Sequence, residues 1–499
     1  MLEALIAGLG QVLSWPAIGL MCVGIAVGFV VGIMPGLGGA TTLALMLPFI
    51  FRMQPTEAFA FLLGMTSVLA MTGEITSILF GVPGEPVTAA TVVDGHPMAK
   101  QGMAGRALGA AMGAALIGGV LGAVALMATI PVVEPFLRRF GSPEFLMLAV
   151  LGIAFVSSLT GRSPVKGFLA AGIGLIASMV GQAPGTATLR YTFEQLYLWE
   201  GVRIVPATLG LFAIPEIVDL AVHRKSIARM DVGALGGVRE GIADVFRHRW
   251  LVLRTYVIGV VTGVAPGIGG AGAQWIAYGH AVQSGRDKDR FGRGAVEGVI
   301  APGVASAAER TTALIPTVAF GIPGNVTTAI LLGAFIIQGL VPGRAMFEQH
   351  LALTFSMAWT MIIANLIAIA VALLLVRRLV AITRIRGTLL VPPLLVLVSL
   401  GAYAERNTLF DVLVMLVFGG LGLVMVGLDW PRAPLILGLV LGGVIERYLA
   451  LSVARYELEW MARPLVAVLI AATLLVALSP YLGALRARLR TPGAGGGSP

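Results

Sequence analysis

The chain has 499 residues, of which 57% are hydrophobic and only 12% are charged, and its mean hydropathy is +0.93. Soluble domains carry about a quarter charged residues, so this composition excludes an ordinary soluble protein. A spanning helix needs ~20 apolar residues, and the chain has room for roughly a dozen of them.

The net charge of +9 is explained by basic loops on the cytoplasmic side of a membrane, and we do not attribute it to nucleic-acid binding. The single cysteine, Cys22, excludes an internal disulfide and a thiolate metal cluster. The first residues, Met1–Glu3, lack the basic region of a signal peptide, so we expect the first apolar helix to be retained.

The first apolar span, near Ile18–Val31, runs into a segment that cannot continue as a regular helix. Pro35 removes a backbone donor, and four glycines within eight residues have low helix propensity. We expect a short helix from Thr41 to Phe51 after this first break. Its candidate site residues are Pro35, Gly36, Gly38, Gly39, Thr41 and Thr42.

A second break ends the next predicted span, Ala58–Phe80. Its candidate site residues are Ser77, Gly81, Pro83, Gly84 and Thr88. We interpret 88–101 as an irregular polar stretch in which Asp94–Pro97 forms a turn, because one histidine and one carboxylate are too few for a zinc site. Further spans are expected at about 107–130, 145–159, 167–180 and 204–222.

Both breaks recur in the second half of the chain. Pro266 repeats the Pro-Gly-x-Gly-Gly pattern of Pro35 after 231 positions, and Pro323 repeats the surroundings of Pro83 after 240. Two motifs in the same order at nearly the same offset indicate an internal duplication, and we expect the repeats to be inverted. The candidate site residues here are Pro266, Gly267, Gly269, Gly270, Gly321, Pro323, Gly324, Asn325 and Thr327.

The predicted fold is therefore an all-α polytopic membrane protein with two repeats and broken or re-entrant helices. Its predicted parts are a first transmembrane repeat (1–222), a basic cytoplasmic linker (223–251), the core of the second repeat (252–350), C-terminal transmembrane helices (351–484) and a cytoplasmic tail (485–499).

Broken helices expose chain ends at membrane depth, where backbone groups must be buried in protein or line a wet cavity. A helix N-terminus can hold a carboxylate, and free carbonyl groups can hold a cation. The pattern favours a site for an anionic solute that is taken up with cations. The alternative reading is that glycine and proline only permit close packing and kinks, and that the threonines bond to their own helix backbone.

Three ionisable residues lie close to these breaks, and such groups are costly in lipid. We hypothesise that Glu74 and Arg310 face one another, with Glu74 holding a coupling cation or proton and Arg310 contacting a substrate carboxylate. The alternative for Glu309 and Arg310 is a position at the water interface.

Several long motifs resemble the large permease subunit of the tripartite tricarboxylate transporters. The resemblance rests on Gly32–Gly39, Thr76–Gly84, Ala89–Gly102, Phe291–Val299, Ala313–Pro316 and Gly321–Gly324. It implies a permease of a bacterial inner membrane, driven by an ion gradient, with sodium or protons as the coupling ion and no other cofactor. It also implies a small membrane subunit and a periplasmic solute-binding protein as partners, with an organic carboxylate as substrate.

The sequence departs from the family pattern before the fourth break, where it reads Pro302–Ala307 instead of Pro-Glu-Ala-Ala-Asn-Asn. Glu74 likewise replaces a small residue, and Gly81 stands where the family often has Asn. Two other functions stay open from the sequence: an ion channel, or a transporter of a non-carboxylate solute at the same site. An intramembrane enzyme is disfavoured because no catalytic constellation such as His-Glu-x-x-His appears.

Overall fold

A computed structural model describes the whole chain except residues 33–37, 138, 160–162, 184–185, 187, 223–235, 383–386 and 491–499. The described residues are almost entirely helical, apart from one antiparallel ribbon of β1 (Gly181–Gln182) and β2 (Leu189–Arg190).

The α-helices are α1 Leu2–Leu13, α2 Ala17–Gly32, α3 Gly39–Met46, α4 Pro55–Phe80, α5 Ala89–Met98, α6 Ala104–Leu137, α7 Ser142–Leu159, α8 Pro164–Ser178, α9 Ile204–Thr208, α10 Ile214–Val222, α11 Val238–Arg247, α12 Arg249–Val264, α13 Gly269–Ser284, α14 Glu297–Thr312, α15 Leu314–Phe320, α16 Val326–Ile337, α17 Arg344–Glu348, α18 Leu351–Ile382, α19 Gly387–Tyr403, α20 Leu409–Gly427, α21 Ala433–Tyr456 and α22 Pro464–Arg490. Short 3-10 segments cover Leu47–Arg52, Pro86–Thr88, Leu196–Glu200, Lys288–Arg290 and Glu459–Ala462, and π turns cover Ala99–Met103 and Leu209–Ala213.

Six helical segments of the described residues are long and apolar enough to cross a membrane, and a seventh arises if the bent pair α1 and α2 forms one span. Six shorter apolar helices accompany them, among them α8 and α16. The chain is thus an all-α polytopic membrane protein, as its composition predicted.

The chain forms two compact units. The first contains 1–139 and 203–426, and it holds all four breaks. The second contains 140–202 and 427–499. The predicted boundaries of the repeats follow sequence similarity and stay a prediction.

In the first unit, helix pairs pack in the same way in both halves of the chain. A Cβ on Gly28 of α2 would meet Met65 and Val68 of α4, and a Cβ on Gly259 of α12 would meet Ala305 and Ala308 of α14. Gly259 follows Gly28 by 231 positions, and the two alanines follow Met65 and Val68 by 240. These are the same offsets that separate the motifs. Glycine lets the two helix backbones approach closely, which is a common packing device in membranes. The recurrence supports the duplication, whereas the inversion of the repeats stays a prediction.

Helix α4 begins where its sequence contains two start signals. Pro55 takes the first helical position, where a missing N–H costs nothing. Glu57 Oε2 accepts a hydrogen bond from the Gln54 N–H at 3.0 Å, which closes a capping box. The helix then runs for 26 residues to the second break.

In the second unit, α8 and α21 approach closely through glycines on both helices. A Cβ on Gly174 would meet Leu435, and one on Gly438 would meet Ala171. Glu144 is buried at the start of α7 and pairs with Arg463, at 2.6 Å between Oε1 and Nε. Because its charge is compensated, this buried carboxylate has a structural explanation.

The prediction of an irregular stretch over 88–101 is wrong. The segment is helical throughout, with Pro86–Thr88, α5 and the turn Ala99–Met103 in sequence, and Pro97 lies inside α5. The proposed turn at Asp94 is therefore wrong as well. Asp94 is fully buried, and its Oδ1 accepts backbone N–H groups of Gly292, Gly294 and Ala295 at 2.8–2.9 Å. This carboxylate fastens α5 to the loop that precedes α14.

Candidate functional site

All four predicted breaks fall between helices. The first lies between α2 and α3, the second follows α4, the third separates α12 from α13, and the fourth separates α15 from α16. Pro35 and Gly36 lie in 33–37, outside the described residues, so their placement stays a prediction. Continuous helices through the described parts of the breaks would have contradicted the predicted broken-helix architecture.

The second and fourth breaks end their helices with the same backbone conformation. Gly81 has φ 67° and Gly321 has φ 68°, which is the left-handed region that glycine adopts without strain. Their N–H groups donate to the carbonyl oxygens of Ser77 at 3.2 Å and Thr317 at 3.0 Å. The repeated Gly-x-Pro-Gly motif is therefore a helix stop.

A threonine then restarts the helical backbone after each of these breaks. Thr88 Oγ1 donates to the Glu85 carbonyl, and Thr328 Oγ1 donates to the Asn325 carbonyl, both at 3.0 Å. Ser77 Oγ also donates to the Thr88 carbonyl at 3.1 Å. These hydroxyl groups bond the backbone, as the alternative reading of the sequence anticipated.

The third and fourth breaks touch directly. The Gly267 N–H donates to the Gly324 carbonyl at 3.0 Å, and a Cβ on Gly324 would lie 2.9 Å from the Gly263 carbonyl oxygen. The side chain of Asn325 continues this contact, because its Nδ2 donates to Glu309 Oε1 at 3.0 Å. Gly269, at φ 65°, begins α13 beside Asn325.

The first and second breaks meet through a carboxylate. A Cβ on Gly39 would lie 2.7 Å from Glu85 Oε1, so this glycine leaves room for the carboxylate at the start of α3. A Cβ on Gly84 would lie 2.7 Å from the Cα of Gly73 in α4. Gly38 contributes its carbonyl oxygen, which accepts the Thr42 N–H at 3.0 Å.

The two halves of the chain meet at the same place. A Cβ on Gly270 of α13 would lie 2.8 Å from Val87 Cγ1 and 3.0 Å from Glu309 Oε2. Gln274, on the same helix, donates from Nε2 to Glu74 Oε1 at 3.0 Å, and its Oε1 accepts the Ala90 N–H at 3.3 Å. The second and third breaks are therefore joined.

Three glutamates and one arginine occupy this junction, and we call them the carboxylate cluster. Glu74, Glu85 and Glu309 are exposed by only 5%, 8% and 2%. Arg310 interacts electrostatically with all three, and its Nη1 donates to the Thr66 carbonyl at 3.4 Å. Among the described atoms, Glu74 Oε2 and Glu85 Oε1 are buried without a hydrogen-bond partner. Burying such charges is expensive, which makes the cluster a candidate functional site.

A small cavity of about 20 Å³ connects two members of the cluster. Glu74 and Arg310 both line it, together with Ser306 and Asn365. This volume holds about one water molecule. The structure thus brings Glu74 and Arg310 to one cavity, as hypothesised, although no direct ion pair joins them in the described part of the chain.

The other predicted site residues are placed unevenly around the breaks. Pro266 and Pro323 are buried, and Pro83 is exposed. Thr41 is buried in α3, and Thr327 is half-buried in the first turn of α16 without a side-chain hydrogen bond within the described chain. Of the predicted site residues, Gly39, Gly270 and Asn325 lie directly against carboxylates of the cluster.

Sequence reasoning missed Glu85 and Gln274 as members of the site. Glu85 stands inside the second break motif, and Gln274 is the one amide among the small and apolar residues of 269–276 at the start of α13. A polar side chain in such surroundings is the signal that could have identified them. Glu309 was considered, but an interfacial position was left open, and the structure buries it.

The fold and this site together define a polytopic helical membrane protein whose broken helices enclose ionisable residues, which is typical of transporters. Comparison with known families gives the particular one. Residues 18–437 match the model of the tripartite tricarboxylate transporter TctA family, and the chain belongs to this family.

Two proteins of Agrobacterium vitis are similar to the chain. An uncharacterized 52.8 kDa protein in the TAR-I ttuC' 3' region is 32% identical over 469 residues, which cover 93% of each chain. An uncharacterized protein in the TAR-II ttuC' 3' region is 32% identical over 233 residues, 46% of this chain and 96% of the relative.

Proposed function

We propose that the chain is the permease that moves a small organic carboxylate across a bacterial inner membrane, driven by a gradient of sodium ions or protons. The family supplies the class of transporter. The observation that carries the proposal is the convergence of the breaks on the carboxylate cluster, whose half-buried Arg310 can pair with a substrate carboxylate.

The partners follow from the tripartite character of the family. We propose a periplasmic solute-binding protein that delivers the substrate and a small membrane subunit that accompanies the permease. Citrate-like tricarboxylates, dicarboxylates and aromatic carboxylates are the substrates to be compared.

The glycines have a defined part in this proposal. Gly39 and Gly270 leave space at the starts of α3 and α13, so a ligand can approach the main chain there. Gly81 and Gly321 end α4 and α15, and the segments that follow these two glycines contact the chain at the starts of α3 and α13. Motion of one helix group against another would then expose the cluster to either side of the membrane in turn.

Uptake of radiolabelled citrate, succinate and benzoate by cells that produce the chain with its candidate partners tests the proposal. We expect saturable uptake of one of these acids that requires the binding protein and collapses when the ion gradient is removed. Flux that does not saturate and needs no partner would instead favour a channel. Saturable uptake of a non-carboxylate solute alone would exclude the proposed substrate class.

A further inference from the structure

The carboxylate cluster is unbalanced in charge. Glu74, Glu85 and Glu309 oppose one cation, Arg310, so the fully ionised cluster has a net charge of −2. An anionic substrate would be repelled from such a site at low dielectric constant. Two positive charges must therefore be present before a carboxylate can bind.

Two members of the cluster occupy matching places in the two repeats. Gly39 and Gly270 are 231 positions apart, and each faces a buried carboxylate oxygen: Glu85 Oε1 at 2.7 Å and Glu309 Oε2 at 3.0 Å from the place of a Cβ. Glu85 and Glu309 are not equivalent in sequence, because Asn325 follows Glu85 by 240 positions. Each repeat thus places one carboxylate against its equivalent glycine, but the two carboxylates come from non-equivalent sequence positions.

The amides around the cluster present donors to it. Asn325 Oδ1 accepts the Thr328 N–H at 2.9 Å, so its Nδ2 is the atom that faces Glu309. Gln274 Oε1 likewise accepts the Ala90 N–H, and its Nε2 faces Glu74. Hard metal cations require several oxygen ligands, whereas a proton requires only the carboxylate itself.

The remaining elements around the cluster add no further charge at their near ends. Glu74 lies on α4, Glu85 follows the second break, and Glu309 and Arg310 lie on α14. The starts of α3, α13 and α16 carry no titratable side chain, and on α5 Asp94 binds the loop before α14 while His96 contacts the Ile78 carbonyl. Glu74 lines the small cavity together with Arg310, whereas Glu85 and Glu309 are not among its lining residues.

We propose that Glu85 and Glu309 each carry one proton, one in each repeat, while Glu74 stays ionised opposite Arg310. This inference rests on the proposed transport function and specifies its coupling ion as two protons. With both protons bound the cluster is neutral and accepts an anionic substrate. When each O–H releases its proton to water on the other side, the restored net charge of −2 expels the anion.

Infrared difference spectra of the purified full-length protein test the inference without any substrate. Spectra taken between about pH 5 and pH 9 detect the C=O stretch of buried protonated carboxyl groups, whose ionisation falls in this range when burial opposes the charge. We expect the cluster to contribute two such bands in the wild-type protein. Glu85→Gln should remove one band and Glu309→Gln the other, while Glu74→Gln and the peripheral control Glu348→Gln remove neither.

Repeating the infrared measurement with Na⁺ distinguishes protons from sodium as the ion bound by the two glutamates. Replacing K⁺ by Na⁺ at constant pH and ionic strength should leave both bands unchanged. Loss of a band on adding Na⁺ would overturn the assignment, because the metal would then have displaced the proton. A wild-type spectrum without the two bands would overturn it even if the variants failed to fold.

The spectroscopic result and the uptake result fail independently. Missing bands together with saturable carboxylate uptake would leave the transport proposal intact and exclude these protons. Both bands without uptake of any organic acid would exclude the transport proposal and keep the protonation of the two glutamates.

Discussion

The second and fourth breaks share a backbone and differ in chemistry. Gly81 and Gly321 stop their helices with φ values that agree within one degree, and a threonine restarts the chain after each. Yet at the matching position between the glycine and the threonine, the first repeat has Glu85 and the second has Asn325. The amide reaches Glu309, whereas the carboxylate reaches the start of α3.

This difference teaches that the duplication preserves the shape of the site and not the position of its charges. Backbone geometry depends on glycine at fixed places, so substitutions there are strained in either repeat. A buried negative charge, by contrast, can come from any residue whose side chain reaches the same space. The following predictions test which of these features each repeat depends on.

Replacing Arg310 should have the largest effect, because both repeats direct carboxylates towards it. Arg310→Gln leaves three buried glutamates without their cation, and breaking a buried charge arrangement costs about 3–5 kcal/mol. We expect substrate uptake to fall more than a hundredfold. Uptake by cells that contain matched amounts of membrane-inserted protein measures this.

The control for Arg310 is Arg344→Gln, which removes the same charge from the exposed pair of Arg344 with Glu348, 2.8 Å apart. We expect near wild-type uptake, because exposed pairs contribute about 0–1 kcal/mol. Equal uptake by the two variants would show that the carboxylate cluster is not the transport site.

The next largest effect concerns Gly84 and Gly324, the glycines that follow the prolines of the second and fourth breaks. A Cβ on Gly324 would lie 2.7 Å from Ala313 Cβ and 2.9 Å from the Gly263 carbonyl oxygen, whereas one on Gly84 would meet Gly73 Cα and Thr76 Oγ1, both at 2.7 Å. We expect Gly324→Ala and Gly84→Ala each to lower the stability by about 1–3 kcal/mol through overpacking.

Gly324→Ala should be the more damaging of the two, because it presses on two different helices. Thermal unfolding in detergent measures both variants, with Gly420→Ala as the control, since no atom lies within 4 Å of a Cβ there. A larger loss of thermal stability for Gly84→Ala than for Gly324→Ala would contradict this expectation.

The sequence predicted the positions of the breaks because their cause is local. Proline and clustered glycine oppose a helix wherever they stand, so the ends of α4 and α15 could be placed without a structure. The same local reasoning failed at α5, where Gly95 and Pro97 suggested a turn. There Asp94 accepts three N–H groups from a loop about 200 residues away, and this contact holds the segment in place.

The members of the carboxylate cluster were harder to predict for a related reason. The proximity of Glu74 to Arg310 was inferred because both lie beside breaks. The side chains of Glu85 and Gln274 point into the site only after α3 and α13 have packed, and periodicity does not give that direction. The pairing of 140–202 with 427–499 in one unit also depends on contacts between distant parts of the chain.

A smaller effect should separate the two tasks of Asn325. Its Oδ1 caps α16 through the Thr328 N–H, and its Nδ2 donates to Glu309. Asn325→Ala loses both, and a lost cap costs about 1 kcal/mol. Asn325→Ser keeps a capping oxygen and loses only the amide donor.

We therefore expect Asn325→Ala to lower the midpoint of thermal unfolding and Asn325→Ser to stay near wild type. Equal losses would assign the stabilising role to the contact with Glu309. The first repeat offers no such pair of variants, because Glu85 reaches the start of α3 and not the helix that follows it in the chain.

The smallest effect concerns the starts of the long helices α4 and α14, where the repeats also differ. Glu57 caps its own helix, whereas Glu297, 240 positions later, lies 3.4 Å from Nε2 of His248. The hydrogen bond from His248 lowers the pKa of Glu297 to about 2, and the same bond raises the pKa of His248 above its ordinary 6.5.

The histidine stabilises the fold fully below pH 6.5, and this contribution is lost as the pH rises through its raised pKa. The glutamate contributes above its ordinary pKa of 4.5 and loses its contribution as the pH falls towards 2. The pair is therefore strongest between pH 4.5 and 6.5. Both groups are partly exposed, so we expect no more than about 1 kcal/mol. His248→Gln should accordingly lower thermal stability near pH 5.5 and have little effect near pH 8.5, and an equal loss at both values would mean that the contact acts by packing and not by charge.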